Sequence, residues 1–214
     1  MTNADLQQRF CTLWERCSGE SAPSTQVWTL LSEHYREPHR FYHNLQHLRH
    51  CLSQLDAARE QIAELDATEM AIWFHDVIYE YGARDNEEKS ADLFQAMAGD
   101  NMSGSFVERV YDFIIATQHR GAAEDEGVAF VVDIDLSGFG LPWKGYLADS
   151  DALRKEAPHI GDEEYYRGKL RFFAELQAWP SLFQTDYFRE RLEQRARENI
   201  QRYSRDLRAR GFAH

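Results

Sequence analysis

Apolar residues recur at helical spacing along almost the whole chain. In the segment DLQQRFCTLWERC, Leu6, Phe10 and Leu13 fall on one face of a helix. The same spacing runs from Asn44 to about Leu65, where Asn44 is the predicted N-cap. Three further helical patterns lie near residues 142–157, 161–178 and 185–210. An all-α fold is therefore expected.

One segment departs from this pattern. The run VAFVVDIDL, residues 128–136, is short and rich in β-branched side chains. A short buried strand and a buried helix both fit such a run, because periodicity cannot separate them over so few residues.

Length and composition favour one sizeable globular domain. The 214 residues are 43% hydrophobic and 28% charged, without a repeat or a shift in composition. We expect a single domain over residues 1–214, with its core at about 35–140 and flanking helices at both ends. The sequence carries no signal for an oligomeric state.

The net charge of −12 argues against two classes of partner. Bulk nucleic acid and anionic membrane surfaces would be repelled by such a field. A small anionic substrate remains compatible, because a metal ion or local cations can reverse the sign of the potential inside a cleft.

The cysteines and the hydropathy pattern indicate a cytoplasmic protein. Cys11, Cys17 and Cys51 have neither zinc-knuckle nor CxxC spacing, which favours reduced thiols. No apolar run approaches the roughly 20 residues of a membrane span. The first residues, MTNADLQQRF, lack the order of a signal peptide.

Histidines cluster around the start of the second helical pattern. Within RFYHNLQH, His43 and His47 stand four positions apart. A helix that begins at Asn44 lets both face one cleft. Imidazole is a suitable ligand for Zn, Fe, Mn, Co and Ni, although exposed helix histidines without such a role are common.

Two pairs of ionisable residues follow apolar runs. His75 and Asp76 end the most apolar helical pattern, and Asp133 and Asp135 follow a second apolar run. A buried carboxylate is costly unless it is paired or coordinates a cation, although Asp76 could also emerge into solvent at a helix end. Two imidazoles and two carboxylates could bind a divalent ion and leave positions for water.

Four blocks of the sequence, in this order, resemble those of one superfamily. YREPHRFYHNLQHL, WFHDVIY, NEEKSA and DIDLSGFG are similar to the successive blocks of a bacterial group of HD-superfamily metal-dependent phosphohydrolases. The resemblance runs from about Tyr35 to Gly140. It implies an all-α helical bundle that holds the metal between its central helices.

The resemblance also implies a set of metal ligands. They are His47, His75, Asp76 and Asp135, with Asp133 as the alternative to Asp135. The expected cofactor is one divalent ion per chain, which could be Mn, Mg, Co, Ni, Fe or Zn.

The stretch YHNLQH is similar to a block of cyclic-nucleotide phosphodiesterases, which implies that His43 is a general acid. Glu87 in NEEKSA would orient water, although acidic residues also suit a helix N-terminus. Four candidates for contacts with substrate phosphate are Arg40, Lys89, His119 and Arg120, each of which could instead be an ordinary surface cation.

The expected function is hydrolysis of a small phosphorylated molecule, a nucleotide or a related mono- or diester. Two alternatives stay open. One is an HD-type di-iron oxygenase, which needs additional ligands. The other is a non-catalytic metal-binding regulatory protein, whose Arg- and Glu-rich C-terminal helix would dock a partner.

Overall fold

A computed structural model describes residues 1–18, 23–123 and 125–212. These residues form α-helices and no strand, which confirms the all-α prediction. The helices are α1 (Asn3–Ser18), α2 (Ser24–His34), α3 (Leu45–Ala58), α4 (Leu65–Phe74), α5 (Asn86–Ala98), α6 (Gly104–Ala116), α7 (Glu126–Leu136), α8 (Trp143–Lys155), α9 (Asp162–Ala178) and α10 (Asp186–Ala209). Within the described ranges, no helix has the length and apolarity needed to cross a membrane.

Two compact units divide the chain, Met1–Asp135 and Leu136–His214. The first contains α1 to α6 and nearly all of α7, and the second contains α8 to α10. The single domain over residues 1–214 stays a prediction.

The start of α3 confirms one expectation, and its end corrects another. The side chain of Asn44 accepts a hydrogen bond from the backbone N–H of Gln46 at 2.7 Å, so Asn44 is the N-cap. The helix ends at Ala58 rather than near Leu65. Residues 59–61 form one tighter helical turn, after which the backbone of Ile62 is extended. Ile62 is nevertheless buried, with only 7% of its surface exposed. Ile62 thus keeps its place in the core without a continuous helix.

The helix α4 is the central element of the first unit. It packs against α1, α3 and α6, and every residue from Ala67 to Phe74 is buried. The Trp73 ring meets Phe10 edge-on at 5.5 Å and Trp28 at 6.0 Å. Such aromatic contacts add to the stabilisation from apolar burial and hold the end of α4 in place.

The run VAFVVDIDL is helical and lies in α7. This result decides between strand and helix for that segment. Phe130, Val131 and Ile134 are all buried. Tertiary burial has therefore outweighed the strand preference of the β-branched side chains.

In the second unit, α10 packs closely on the turn at residues 137–140. The side-chain amide of Asn199 donates to the carbonyls of Phe139 and Leu141, both at 2.8 Å. A Cβ atom on Gly140 would stand 2.8 Å from the Cβ of Leu192. Only glycine allows the two backbones to approach this closely.

We therefore expect Gly140→Ala to lower the free energy of unfolding by about 1–3 kcal/mol, because the added methyl group forces α10 away from the turn. Gly168→Ala is the matched control in α9, where an added Cβ meets nothing within 4 Å. This control should raise the free energy of unfolding by about 1 kcal/mol, since alanine is the better helix former. Urea unfolding measures both, and equal values for the two variants would contradict the close approach.

Candidate metal centre

A backbone contact fixes the orientation of His75 at the end of α4. Its Nδ1 lies 2.9 Å from the carbonyl oxygen of Ile72. A carbonyl can only accept, so Nδ1 carries the hydrogen and donates it. In the neutral ring Nε2 is then left with a free lone pair. Backbone contacts of this kind are what orient metal-binding histidines.

Three potential ligand atoms from other residues lie close to Nε2 of His75. They are Asp76 Oδ2 at 3.0 Å, His47 Nε2 at 3.2 Å and Asp135 Oδ1 at 3.5 Å. Nε2 of His47 in turn lies 3.4 Å from Asp76 Oδ2 and 3.3 Å from Asp135 Oδ1. Ligands each about 2.1 Å from a divalent ion stand about 3.0 Å apart in an octahedron and about 3.4 Å apart in a tetrahedron. The observed distances match these edges.

The same atoms fit poorly together without a cation. His47 and His75 are 5% and 1% exposed. Oδ2 of Asp76 is buried and accepts no aligned hydrogen bond from any described residue. A lone pair of His75 and two carboxylates therefore share a largely buried space, where their mutual repulsion is strong. A metal ion or a proton must lie among them.

The pKa values in the cluster show that its carboxylates favour a positive charge beside them. Burial by itself lowers the pKa of His75, but the carboxylates of Asp76 and Asp135 outweigh it and hold that pKa well above its ordinary value. Burial raises the pKa of both carboxyls, and the neighbouring imidazoles reverse this and hold them low. The site thus keeps two negative charges that attract positive charge.

Cys51, which was expected to be an ordinary reduced thiol, joins this group. His47, Cys51, His75 and Asp135 each place a potential ligand atom within 4.8 Å of one another, so the buried group could hold a metal ion. The signal was the i, i+4 spacing of His47 and Cys51, which puts both on one face of α3. The Cys51 Sγ lies 3.6 Å from Nε2 and 3.8 Å from Nδ1 of His47, so it lies beside the ring rather than on the Nε2 axis.

Of the two acidic residues at the end of α7, Asp135 belongs to the group and Asp133 does not. Successive residues of a helix are rotated by about 100°, so residues two apart point in nearly opposite directions and cannot both face the same site. Asp133 is fully buried within the first unit. Oδ2 of Asp135 lies 2.9 Å from Nε2 of His119, which extends the cluster by one histidine. Among described residues other than glycine, only His119 has a positive φ, at 53°.

His43 lies beside the cluster, as its position before α3 predicted. Its ring stacks on Tyr79 with a centroid distance of 3.9 Å and meets Tyr42 edge-on at 4.8 Å. The ring centroids of His43 and His47 are 6.0 Å apart. The charge of His43 also helps to lower the pKa of Asp76. His43 is thus close to the potential ligands and held by two aromatic rings.

Glu87, in the first turn of α5, is coupled electrostatically to the same cluster. Burial raises its pKa, and the negative charge of Asp76 raises it further, while His119 acts in the opposite direction. Asn86, the neighbour of Glu87 in the NEEKSA block, forms hydrogen bonds with the backbone of the preceding loop. The side-chain amide of Asn86 accepts a hydrogen bond from the Glu80 N–H through Oδ1 and donates one to the Glu80 carbonyl through Nδ2, at 3.0 Å each.

The cations predicted to contact phosphate occupy different environments. Arg40 is buried, and its guanidinium donates to the carbonyls of Asp76 at 2.5 Å and Val77 at 2.8 Å. Lys89 is exposed and forms an ion pair with Asp85 at 2.9 Å. Arg120 is exposed too. The structure brings His119 to the cluster and gives Arg40 the role of a structural tie, while phosphate contacts by these residues stay predictions.

No family model, no curated protein and no solved structure matches the chain. The resemblance to the HD superfamily therefore stays a prediction that rests on the four sequence blocks.

Metal addition should separate the two candidate aspartates. We expect Mn²⁺ or Zn²⁺ at 100 times its dissociation constant to stabilise the native protein by about 2.7 kcal/mol, with a corresponding rise in melting temperature. Asp135→Asn should abolish most of this rise, because it removes a ligand charge. Asp133→Asn should retain it.

Differential scanning fluorimetry, together with metal content after dialysis, measures the effect. Equal metal content in the two variants would show that Asp135 is not a ligand.

Proposed function

We propose that the first unit is a metal-dependent hydrolase of a small phosphorylated molecule, a nucleotide or a related mono- or diester. One divalent ion would be held by His47, His75, Asp76 and Asp135. The observation that carries this proposal is the orientation of His75, whose Nε2 faces His47 and two carboxylates in a buried space. The four blocks that resemble HD-type phosphohydrolases support the reaction class.

A divalent ion in such a site supplies a water molecule of lowered pKa and neutralises charge on a phosphoryl oxygen. The two carboxylates balance the double charge of the ion, so the site need not carry excess positive charge before substrate binds. Asp76 is preferred to Cys51 as the fourth ligand, because Asp76 Oδ2 faces both imidazole Nε2 atoms.

His43 would protonate the leaving oxygen. It stands next to the ligands without being one of them, and the Tyr79 and Tyr42 rings hold its orientation. An imidazole in this place can donate a proton at neutral pH. Glu87, in the first turn of α5, interacts electrostatically with the same cluster, and its carboxylate would orient the attacking water by accepting a hydrogen bond.

A di-iron oxygenase of the HD type is the second candidate. It is favoured by one observation, the contact of Asp135 Oδ2 with His119 on the side away from His47 and His75. A carboxylate with histidines at both oxygens could bridge two ions. Two irons per chain together with oxygen consumption would favour this candidate, and one ion with phosphate release would favour the first.

The direct experiment is a hydrolysis screen with nucleoside mono-, di- and triphosphates and cyclic nucleotides. Mn, Mg, Co, Ni and Zn are each supplied in turn. We expect phosphate-ester hydrolysis that depends on the added metal. His75→Ala and Asp76→Ala should lose both the bound metal and the activity, because each removes a ligand. Full activity and metal content in either variant would contradict the assignment of ligands.

His43→Ala distinguishes an acid from a ligand. We expect kcat to fall by about 100- to 10,000-fold, the usual contribution of a general acid, while metal content stays unchanged. His159→Ala is the matched control, because His159 is exposed and lies outside the cluster. Loss of metal in His43→Ala would make His43 a ligand, and an unchanged kcat would remove it from the reaction.

A further inference from the structure

Aromatic side chains concentrate on two chain segments beside the metal centre. One segment, residues 39–43, precedes α3, and the other, residues 77–81, follows α4. Arg40 ties the segments together by donating to the carbonyl of Val77 at 2.8 Å. A second tie joins Nε2 of His39 to the carbonyl of Tyr79 at 3.2 Å.

The inner aromatic residues of these segments contact the proposed catalytic groups. The Tyr42 ring lies 4.8 Å from the rings of both His43 and His47. The Tyr79 ring stacks on the His43 ring with a centroid distance of 3.9 Å. The proposed acid and one proposed ligand are therefore bounded by aromatic faces.

The outer aromatic residues of the same segments are open to solvent. Phe41 is 48% exposed and Tyr81 is 39% exposed. Among the described residues, the large hydrophobic side chains that are exposed are Met1, Phe41, Tyr81 and Phe172. Two of these four side chains belong to the segments that carry His43 and the rings of Tyr42 and Tyr79, which places apolar surface on the same stretches of chain as the proposed acid.

We infer that Phe41 and Tyr81 bind the flat aromatic part of the substrate, such as a nucleobase, while its phosphoryl group lies at the metal centre. This inference rests on the proposed function. Flat aromatic groups stack on such side chains without a requirement for particular hydrogen bonds. The chain also carries a net charge of −12, so stacking offers binding energy that does not depend on long-range attraction of the phosphate. Phosphoesters with only aliphatic groups would be poor substrates.

The test compares two probes that the enzyme cannot hydrolyse. One is an adenine-bearing phosphonate, in which a carbon–phosphorus bond replaces the ester, and the other is the same phosphonate without adenine. Calorimetric titration of the metal-loaded protein gives both dissociation constants. We expect the adenine-bearing probe to bind about 5- to 150-fold more tightly, the range for stacking of one base on aromatic side chains.

Variants of Phe41 and Tyr81 then locate the preference. Phe41→Ala and Tyr81→Ala should each reduce the ratio of the two constants and leave the affinity for the adenine-free probe unchanged. Phe41→Trp should retain the ratio, because it keeps a flat aromatic face. Phe41→Leu should reduce it, because it keeps apolar volume without that face.

Equal affinity of the wild-type protein for the two probes would overturn the inference. So would variants that weaken both probes equally, since this would indicate a structural role. The proposed function is judged separately. A clear preference for adenine without hydrolysis of any phosphoester would leave the aromatic site in place and remove the reaction, whereas hydrolysis without the preference would do the reverse.

Discussion

The buried guanidinium of Arg40 is the interaction on which the proposed site depends. Its side chain is fully buried, and an unpaired cation in that position would cost several kcal/mol. Glu37 at 2.9 Å and the carbonyls of Asp76 and Val77 offset this cost. Those carbonyls belong to the segment after α4, whereas Arg40 itself precedes α3. One side chain therefore holds together the two segments that carry the proposed acid and the aromatic residues, next to the proposed ligands His75 and Asp76.

A rigid support stands behind these segments. The helix α4 is buried on all sides, and its glutamate Glu69 binds Arg9 of α1 at 2.7 Å. The end of α4 can therefore present His75 in one orientation, with the Ile72 carbonyl selecting its tautomer. Metal sites need this precision, because a ligand displaced by an ångström no longer reaches the ion. The helix whose residues 67–74 are all buried thus also places the most buried of the described histidines.

The proposed site has an inner polar part and an outer aromatic part. Inside, imidazoles and carboxylates converge at distances suited to a divalent ion. Outside, Phe41 and Tyr81 are exposed on the segments that bear Tyr42 and Tyr79. The outer aromatic residues lie on the segments whose Tyr42 and Tyr79 rings contact His43, so a substrate that uses one part would be brought close to the other. The reaction and the choice of substrate would then be coupled by short stretches of backbone.

The sequence alone determined the helical class, the cap at Asn44 and the identity of nearly all the residues that meet in the cluster. The first two follow from local spacing and capping chemistry, and the cluster residues follow from the cost of burying carboxylates together with the resemblance to the HD superfamily. Other features were decided only by the tertiary structure, because they depend on which helix faces converge. Asp135 rather than Asp133 faces His75, Cys51 enters the cluster, Arg40 turns inward to backbone carbonyls, and VAFVVDIDL becomes a helix because it is buried. The spacing of residues along one segment determines which of them share a helix face. Which other element that face contacts is determined only by packing between segments that are distant in sequence.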